Sequence, residues 1–552
     1  MNWNEINKKI FSKIKKYLKD NYNYQLKKED FELSRTKNIE QGDLSTNIAL
    51  RLSKSLKKSP FDISQELEVL FIKNKLFKNV EAVQPGFINF YLSDIFFNDF
   101  LTYVVESKSK YGSDNKEYKK QVINYEFISA NPTGELHVGH IRNGVIGDTT
   151  CRILEFLGND VTRGYYMNDL GVQIYNLGKS TYYHYLKFLK YKNNIEIADY
   201  NTPEIIEFAK EIALKDKDKY IPSNMEQVKA IEKFKKMSLN HFSKIIKTRI
   251  KQLGIKPFDE WYSEKAIFNS DTASITLNHF KKTNASYQKD GATWLKTTKY
   301  GDEKDRVMVK SDGEQTYFLP DITNHYLKFK DKRKYDLVID LFGGDHHGYE
   351  KRMIAAIDQL GFDANKFRID FIQMVLVKDG DEVVKMSKRK GTSVRAIDLI
   401  DSIGKDLIRF FITDRSREQQ LEINLEQIRE KSFDNPYYNM QYSYARAYQV
   451  LQKTKKTQVI NENIEYNNLI RKIIIQIFSL NKVLISASKK DEPFILNNYL
   501  RELASDFNKI YSNNKFIKNN TININHLNLV KSFIQVYEIS SKLLSIDPIK
   551  KM

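Results

Sequence analysis

Cysteine is nearly absent from this chain, which has one, Cys151, among 552 residues. A single cysteine excludes a disulfide within the chain and any zinc site that needs several thiolate ligands. Because Cys151 follows a pair of histidines at helical spacing, we predict that it is a small buried apolar residue. Proline and glycine are also scarce, at 10 and 22 residues, which favours long helices with few interruptions.

Long apolar runs are absent too, since no segment reaches the roughly 20 consecutive apolar residues of a membrane-spanning helix. Near the N-terminus Ile6, Ile10, Ile14 and Leu18 recur at helical intervals with lysines between them. This pattern predicts an amphipathic helix rather than the apolar block of a signal peptide. We therefore expect a cytoplasmic protein that has no membrane partner.

Acidic residues are outnumbered, with 70 Asp and Glu against 89 Lys and Arg, for a formal net charge of +19. An excess of this size favours a polyanionic partner such as nucleic acid, although a generally lysine-rich composition gives the same balance. The apolar share of 41% and the aromatic share of 12% indicate a folded protein. A chain of this length has room for about three or four domains.

The order of patterns along the chain predicts three parts. The first hundred or so residues combine amphipathic helices with an alternating, strand-like segment at residues 80–94. The apolar run QVINYEFI at residues 121–128, a glycine-bearing turn and a periodic helix then form the opening of a nucleotide-binding α/β unit. Two more buried strands are expected, in residues 336–348 and 368–377.

From residue 435 onward the chain is almost entirely helical, with aromatic and basic residues interleaved. We therefore predict a multidomain α/β protein with a small N-terminal α+β module, a central doubly wound sheet and a C-terminal helical bundle. Residues 182–251 are lysine-rich and helical, and their pattern assigns them no chemistry.

Two histidines mark the first candidate site, in SANPTGELHVGHIRNG at residues 129–144. His137 and His140 are three residues apart and share one face of the first helical turn. Free backbone N–H groups and the positive end of the helix dipole attract phosphate to such a position. Gly139 would let a flat base approach the backbone closely. Taken alone, the pattern is equally compatible with two ordinary capping or core histidines.

A basic segment, VVKMSKRKGTSV at residues 383–394, marks the second candidate site. Lys385, Lys388, Arg389 and Lys390 surround Ser387 there. Lysines in a loop can neutralise the charge that builds on a transferring phosphoryl group. Taken alone, a solvated basic loop is the simpler interpretation.

Together the two segments resemble the HIGH and KMSKS signatures of class I aminoacyl-tRNA synthetases, and neighbouring blocks narrow the resemblance to arginyl-tRNA synthetases. The similar blocks are EQGDLSTNIAL (40–50), VQPGFINFYLSD (83–94), YEFISANPTGELHVGHIRNGVIGD (125–148), YYMNDLGVQI (165–174), GATWLKTTKYGDEKDRVMVKSDGEQTYFLPDI (291–322), NPYYNMQYSYARA (435–447) and DPIKKM (547–552). Only residues 182–251 lack a recognisable block. Val138 and Arg389 depart from the general patterns, which have isoleucine and serine there, and the role of Arg389 is open.

The resemblance implies a Rossmann-like doubly wound catalytic domain at residues 111–434, with a helical insertion at about 182–251 and a KMSKR loop at 385–391. It implies an N-terminal domain at residues 1–110 that touches the tRNA elbow, and a helical anticodon-binding domain at 435–552. The implied activity is that of an arginine–tRNA ligase, which activates L-arginine with ATP to arginyl-adenylate and transfers it to the 3′ end of tRNA(Arg). The resemblance further implies that the enzyme needs bound tRNA before it activates arginine.

The resemblance also implies the site residues. The catalytic residues are His137, His140, Lys385 and Lys388, and Gly139, Met386 and Ser387 join them in binding ATP. The residues that match the arginine pocket are Glu126, Asn131, Tyr317, Asp321 and Asp345. The candidate tRNA-binding residues are Tyr437, Tyr438, Tyr442, Tyr444 and Arg446.

Within the arginine pocket we expect Asp321 and Glu126 to hold the guanidinium, because its planar fork of donors matches carboxylates two to two. Tyr317 would assist, Asn131 would lie near the α-amino group, and Asp345 would face that amino group. Glu126 stands inside an apolar strand, where an acidic side chain needs a partner. For Asp321 a helix-capping role after Pro320 is the less favoured alternative.

Magnesium is expected to arrive with ATP, and we expect neither zinc nor a metal held by the protein; we also expect a monomer. The triplet Asp345-His346-His347 is compatible with a metal-binding phosphoesterase, although no second cluster of carboxylates and histidines accompanies it. Parts of the pattern also fit a nucleotidyltransferase for a small substrate, a tRNA-binding paralogue without catalysis, and a synthetase for another amino acid.

Overall fold

The computed structural model describes residues 3–36, 38–113, 118–196, 200–344, 348–383, 394–462 and 464–552. The N-terminal part is an α+β module around a four-stranded antiparallel sheet of order β1-β2-β4-β3. Its elements are α1 (Trp3–Tyr22), β1 (Ser34–Arg35), β2 (Leu44–Thr46), α2 (Ile48–Leu56), α3 (Pro60–Val69), β3 (Phe77–Val83), β4 (Phe87–Leu92) and α4 (Asp94–Ser107). The periodic apolar residues of α1 are buried, as their spacing predicts.

A five-stranded parallel sheet forms the middle of the molecule. The elements of this part are β5 (Val122–Glu126), α5 (Val138–Phe156), β6 (Asp160–Met167), α6 (Val172–Phe188), α7 (Pro203–Asp216), α8 (Gln227–Gln252), β7 (Glu260–Ser263), α9 (Glu264–Phe268), α10 (Thr272–Lys282), β8 (Ser286–Lys289), β9 (Ala292–Leu295), β10 (Arg306–Val309), α11 (Phe318–Lys330), β11 (Leu337–Gly343), α12 (Tyr349–Gln359), β12 (Phe367–Ile372), β13 (Val375–Asp379), β14 (Glu382–Val383), α13 (Ala396–Ile412), β15 (Leu421–Asn424) and α14 (Leu425–Arg429). The sheet order is β12-β11-β5-β6-β7, and every neighbouring pair is parallel.

The strand order reverses beside β5, because β6 and β7 lie on one side of it and β11 and β12 on the other. In open parallel sheets ligands bind at the carboxyl ends of the strands next to such a reversal. The predicted doubly wound α/β architecture is confirmed, and it locates the candidate site at the end of β5.

The expected single strand at residues 368–377 is two strands, β12 and β13. The second pairs with β14 and β15 in a separate three-stranded sheet. Between them the Arg142 guanidinium, which is fully buried, donates to the carbonyls of Gln373 at 2.7 Å and Met374 at 3.1 Å. Because the carbonyls of Gln373 and Met374 accept from Arg142, β12 ends before them. A pattern of apolar residues does not indicate such a break.

A bundle of helices completes the chain, with β16 and β17 paired as a short two-stranded sheet. Its elements are α15 (Pro436–Thr454), β16 (Gln458–Ile460), α16 (Asn468–Phe478), α17 (Leu480–Lys490), α18 (Phe494–Asn513), β17 (Thr521–Asn523) and α19 (Ile524–Leu544). The predicted helical bundle is confirmed. Across the described ranges, no helix combines the length and apolar character needed to cross a membrane.

One hydrophobic core runs through the N-terminal module, α5 and the bundle. Trp3 and Phe100 both pack on Phe478 of α16, with ring centroids 5.2 and 5.0 Å apart. Cys151 lies in this core without exposure, as predicted, and burial raises the pKa of its thiol to about 12. Helices α6, α7 and α8 have a separate small core that includes Tyr185.

Candidate active site

A sharp turn after β5 brings the candidate residues together. Ile128 and Ser129 have φ angles of 68° and 44°, in a region that a β-branched residue rarely adopts. The turn is fixed from both sides: the Asn143 side chain accepts from the Ile128 amide at 2.6 Å and donates to the Leu341 carbonyl at 2.7 Å. The Tyr165 hydroxyl bonds both backbone polar groups of Ala130. These hydrogen bonds therefore stabilise the unfavourable backbone conformation of Ile128 and Ser129, between the sheet and α5.

The two histidines close the N-terminal end of α5 with each other's help. Nδ1 of His137 accepts from the Gly139 amide at 3.1 Å, and Nδ1 of His140 accepts from the His137 amide at 3.3 Å. Their rings stack with centroids 3.7 Å apart. Because both Nδ1 atoms accept, the proton of each neutral imidazole is on Nε2. The capping interpretation is therefore confirmed, and phosphate binding through the Nε2 donors stays a prediction.

Gly139 is required by the histidine stack. A Cβ atom at this position would lie 3.0 Å from Cε1 and 3.1 Å from Nδ1 of His137, tighter than most contacts allow. The sequence suggested that this glycine makes room for a base. In the structure it makes room for the His137 ring over the helix end.

The segment that follows the basic loop lies beside this helix end. The Val138 amide donates to the Val394 carbonyl at 3.2 Å, and the Ala396 amide donates to the Leu136 carbonyl at 2.7 Å. His137 and Arg395 form the bridge between them. The residues predicted in the loop itself, Lys385, Met386, Ser387, Lys388 and Arg389, lie outside the described residues.

Glu126 is buried at the end of β5, with Lys328 as its cationic partner. The Lys328 ammonium lies 2.8 Å from Oε2 of Glu126 and 2.9 Å from Oδ1 of Asp340, a buried residue of β11. Burial raises the pKa of Glu126, and the charge of Lys328 opposes that shift. The expectation that an acidic residue in this strand needs a partner is confirmed, and the partner is a lysine of the protein itself.

Asp321 lies in the first turn of α11 and is more accessible than Glu126. The Tyr349 hydroxyl donates to Oδ2 of Asp321, and the His325 ring lies between the Asp321 and Asp340 carboxylates. Those two carboxylates outweigh burial and raise the pKa of His325 to about 10. Tyr317 is the residue before α11 and is 71% exposed.

The charges of this network do not cancel. In their charged forms Glu126, Asp321 and Asp340 bring three negative charges, and His325 and Lys328 bring two positive ones, which leaves one negative charge unmatched. A charge left in so buried a place favours a cationic ligand. The arrangement can therefore accept one positively charged group beside Asp321.

Sequence reasoning missed two further acidic residues, Asp169 and Glu264. Glu264 is 6% exposed, and its pKa is raised to about 7 by burial and by the charges of Asp169 and Asp321. Burial, followed by the charges of Glu264, Asp321, Glu126 and Asp169, raises the pKa of Tyr166. Only the position of Glu264 directly after a strand could have drawn attention to it.

The other missed residues had a clearer signal. Asp321, His325 and Lys328 follow one another at helical spacing on α11, and Asp340 is an acidic residue in an apolar strand, just as Glu126 is. Pairing these two observations would have predicted the buried network.

Asn131 lies at the mouth of the site beside two amides. Its side chain donates to Oε1 of Gln173 at 2.7 Å and accepts from Asn168. Asp345 lies outside the described residues. Within the described ranges, no group of three or more His, Cys, Asp or Glu side chains is arranged to hold a metal ion.

The candidate tRNA-binding side chains of α15 divide into two groups. Tyr437 and Tyr444 are buried, at 5% and 0% exposure, and Tyr444 donates to Glu538 at 2.6 Å. Their burial removes them from any RNA interface, which corrects that part of the expectation. Tyr438, Tyr442 and Arg446 remain partly exposed.

Arg446 lies between two rings, with its guanidinium carbon 4.2 Å from the Tyr442 centroid and 5.0 Å from that of Tyr511. Phe433, which is more than half exposed, meets Tyr442 edge to face at 5.8 Å. Rings and a guanidinium grouped in this way form a surface on which unpaired bases can stack.

Comparison with known protein families follows the same three-part division. The family model for the catalytic domain of class I (R) tRNA synthetases matches residues 101–430. The model for the arginyl-tRNA synthetase N-terminal domain matches residues 4–92, and that for the DALR anticodon-binding domain matches residues 440–552.

Individual relatives are similar over most of their length. The chain is 36% identical to an arginine–tRNA ligase of Listeria monocytogenes over 530 residues, which are 94% of this chain and 93% of the relative. It is 37% identical to arginine–tRNA ligase 1 of Halalkalibacterium halodurans over 477 residues, 85% of each chain. The solved structure of Thermus thermophilus arginyl-tRNA synthetase superposes on this chain with a TM-score of 0.75, over 99% of this chain and 100% of that one. At 19% identity this likeness concerns the fold.

Proposed function

The chain belongs to the arginyl-tRNA synthetase family, and on that premise we propose that its site joins L-arginine to the 3′ end of tRNA(Arg) with ATP. The resemblance predicted from the sequence motifs is thereby confirmed. The observation that carries the assignment to this site is the turn after β5. It holds the histidine-capped helix end and the carboxylate network on one edge of the sheet.

The first step would be attack of an arginine carboxylate oxygen on the α-phosphorus of ATP. The bond from that phosphorus to the oxygen bridging the α- and β-phosphoryl groups breaks, and pyrophosphate leaves. No protein nucleophile is required, so alignment and charge stabilisation supply the rate. Nε2–H of His137 and of His140, at the positive end of the α5 dipole, would hold the phosphate region.

Magnesium would arrive with ATP, held largely by phosphate oxygens and water. Lys385 and Lys388 would neutralise the leaving pyrophosphate, with Met386 and Ser387 completing the ATP contact. The hydrogen bonds from the Val138 amide to the Val394 carbonyl and from the Ala396 amide to the Leu136 carbonyl support this, because they hold the segment after the loop at the helix end.

In the arginine pocket, Asp321 would hold the guanidinium, with Glu264 as a second carboxylate near it. Glu126 is engaged by Lys328, so we assign it to the wall of the pocket, where its charge helps to balance the network. Tyr317 would close over the ligand from its exposed position, and Asn131 and Asp345 would face the α-amino group. A lysine substrate has one ammonium and cannot satisfy two carboxylates as a planar fork does.

In the second step a terminal ribose hydroxyl of tRNA attacks the adenylate carbonyl carbon, and AMP leaves. Residues 1–110 would touch the tRNA elbow, residues 111–434 would hold the reactants, and residues 435–552 would bind the anticodon through Tyr438, Tyr442 and Arg446. The net charge of +19 suits such a partner. The enzyme would act as a cytoplasmic monomer.

The test is pyrophosphate exchange into ATP with each of the 20 amino acids, run with and without tRNA(Arg). We expect exchange with arginine alone, and only when tRNA is present, together with charging of tRNA(Arg). Exchange with a different amino acid would contradict the substrate assignment. Equal exchange without tRNA would contradict tRNA-dependent activation and leave the arginine assignment standing.

A further inference from the structure

Tyr349 is the first residue of α12, and three neighbouring side chains fix its ring. The Phe318 ring meets it edge to face with centroids 6.3 Å apart, and the Phe342 ring lies 5.9 Å away at an angle of 45°. The guanidinium carbon of Arg352, which is one turn further along the helix, lies 5.9 Å from the ring centroid. A ring held in this way points its hydroxyl in one direction.

The group that this hydroxyl reaches is the carboxylate of Asp321, in the first turn of α11. The Tyr349 hydroxyl donates to Oδ2 of Asp321. Burial and the charge of Asp321 raise the pKa of Tyr349 well above its usual range, so the phenol keeps its proton. A hydrogen bond to an ionised acceptor is about twice as strong as one between neutral groups. The hydroxyl therefore holds one oxygen of Asp321 whenever this carboxyl is ionised.

The Asp321 carboxylate still has room for two more donors. Each carboxylate oxygen offers two acceptor positions, and Tyr349 takes one of those on Oδ2. Nδ1 of His325 lies 3.3 Å from the other oxygen, Oδ1. At least one position is thus left on each oxygen, and the Asp321 side chain is 20% exposed, so a ligand can reach them. Two adjacent acceptors match the paired N–H groups of a guanidinium, whereas an ammonium is a single point of charge.

Helix α12, which carries Tyr349, is tied to the segment between β9 and β10. The Tyr300 hydroxyl of that segment donates to Asp358 of α12 at 2.5 Å. Nε of Arg352 lies 3.5 Å from Oδ2 of Asp302, in the same segment. These contacts hold α12 in place independently of α11. Tyr349 is therefore the fixed member of its hydrogen bond, and the bond restrains the Asp321 side chain.

We propose that Tyr349 is a positioning residue, which orients the Asp321 carboxylate so that both of its oxygens meet the two N–H groups of a guanidinium. Tyr349 thereby contributes to the choice of arginine over amino acids that end in a single ammonium. The proposal rests on the proposed function, in which Asp321 holds the guanidinium of arginine. The Tyr349 hydroxyl acts through Asp321 and need not touch the substrate.

The experiment removes only the hydroxyl, in Tyr349→Phe of the full chain. The matched control is Tyr335→Phe, because Tyr335 belongs to the same hydrophobic core and is buried. Within the described part of the chain, the Tyr335 hydroxyl has no hydrogen-bond partner. Activity is measured as pyrophosphate exchange with tRNA(Arg) present, and circular dichroism and thermal midpoints check that the variants fold.

Agmatine and cadaverine serve as inhibitors that probe the end group alone. Both lack the carboxylate that attacks ATP, so neither can react. Agmatine ends in a guanidinium and cadaverine in an ammonium. The ratio of their inhibition constants therefore reports how strongly the pocket prefers a guanidinium.

Without the hydroxyl, the Asp321 carboxylate can turn and keeps only one of its two bonds to a guanidinium. We expect the KM for arginine and the inhibition constant of agmatine to rise by roughly tenfold, as for one charge-assisted hydrogen bond. The inhibition constant of cadaverine and the KM for ATP should stay within about twofold. The kcat at saturating arginine should change by less than about threefold, because ground state and transition state lose the same bond. Tyr335→Phe should resemble wild type in every constant.

Asp321→Asn tests whether the hydroxyl acts through this carboxylate. The asparagine lacks the charge that attracts a guanidinium, so the preference for agmatine should already be small. Adding Tyr349→Phe should then change the inhibition constant of agmatine by less than about twofold, because residues that act through one another are not additive. A further tenfold loss in the double variant would overturn the proposal.

The proposal is also overturned if Tyr349→Phe raises the inhibition constants of agmatine and cadaverine by the same factor, or if it lowers kcat and leaves the KM for arginine unchanged. Equal inhibition of the wild-type chain by the two amines would contradict the guanidinium-binding role of Asp321, and would count against the proposed function as well. A wild-type preference for agmatine that Tyr349→Phe retains in full would count against Tyr349 alone.

Discussion

At the scale of single residues, Glu264 is a carboxyl whose pKa its surroundings bring close to neutral pH. Within the described part of the chain, its Oε2 is buried without a hydrogen-bond partner. Burial and the neighbouring charges of Asp169 and Asp321 raise its pKa to about 7. Since this value lies above the 4.5 of an ordinary glutamate, ionisation opposes folding, and stability is lost as the pH rises from about 4.5 through about 7.

Replacing Glu264 with glutamine should remove the pH dependence of stability and the pH dependence of arginine binding that this carboxyl causes. In wild type the KM for arginine should fall as the pH rises through about 7, because the ionised carboxylate attracts the guanidinium. In Glu264→Gln the KM should change little over this range, and at pH 8 it should be roughly tenfold or more above wild type, as for loss of a charge-assisted hydrogen bond. The thermal midpoint of the variant relative to wild type should rise from pH 5 to pH 8. Parallel pH profiles for the two proteins would refute the assignment.

Sequence reasoning reached the residues that belong to contiguous motifs, such as Asp321, Glu126 and the histidine pair. It did not reach Lys328, His325 or Glu264. Lys328 meets Glu126 across 202 positions of sequence, and this distance is closed only by the pairing of β5 with β11 and by the packing of α11. Tertiary structure decides which charges pair with each other. The sequence could therefore name some members of the buried network, but it could not say which charges neutralise which.

At the scale of elements, α5 depends on a glycine at a position where alanine would normally improve a helix. Gly139→Ala should raise helix stability by up to about 1 kcal/mol. The added Cβ would push the His137 ring from its place over the helix end. The contact requires the ring to give by a few tenths of an ångström. Since a misplacement of about 1 Å lowers a rate by about a hundredfold, this smaller shift corresponds to a loss of roughly several-fold.

We therefore expect Gly139→Ala to keep or slightly raise the thermal midpoint while arginine-dependent exchange falls by roughly several-fold. Gly147→Ala on the same helix is the contrasting variant, because its Cβ would lie 2.5 Å from Cγ of the buried Phe127. That variant should lose stability. Full exchange activity in Gly139→Ala would show that the ring position is not needed.

The elements themselves were largely predictable, because apolar period and length distinguish the buried strands from the long helices. The division of residues 368–377 into β12 and β13 was not. It arises from a guanidinium that reaches the backbone from a distant helix, and the apolar run is interrupted only by Gln373 and resumes at Met374.

At the scale of the whole molecule, the N-terminal module is joined to the bundle by a buried ion pair. Arg471 of α16 binds Asp43, and it also donates to the Leu92 carbonyl at 3.0 Å. Both charged residues are buried. Burial raises the pKa of Asp43, and the charge of Arg471 opposes that shift.

Replacing Arg471 with methionine should leave a buried carboxylate unpaired and lower the free energy of unfolding by about 3 to 5 kcal/mol. The double variant Asp43→Asn, Arg471→Met should recover part of that loss. Lys78→Met is the matched control, because it breaks the exposed pair with Glu465 and should cost at most about 1 kcal/mol. The measurement is denaturation followed by circular dichroism and by tryptophan fluorescence. Equal midpoints for Arg471→Met and Lys78→Met would contradict the buried pair's role.

The core that the N-terminal module shares with the bundle limits how this chain can recombine. The sequence suggests three successive parts, yet the first and last are the ones that share Phe478, Trp3 and Phe100. An exchange of gene segments that replaced only residues 435–552 would set an unmatched surface against Trp3 and Phe100. The N-terminal module and the bundle must therefore change together in evolution for their shared core to stay packed, although more than 300 residues lie between them in the sequence.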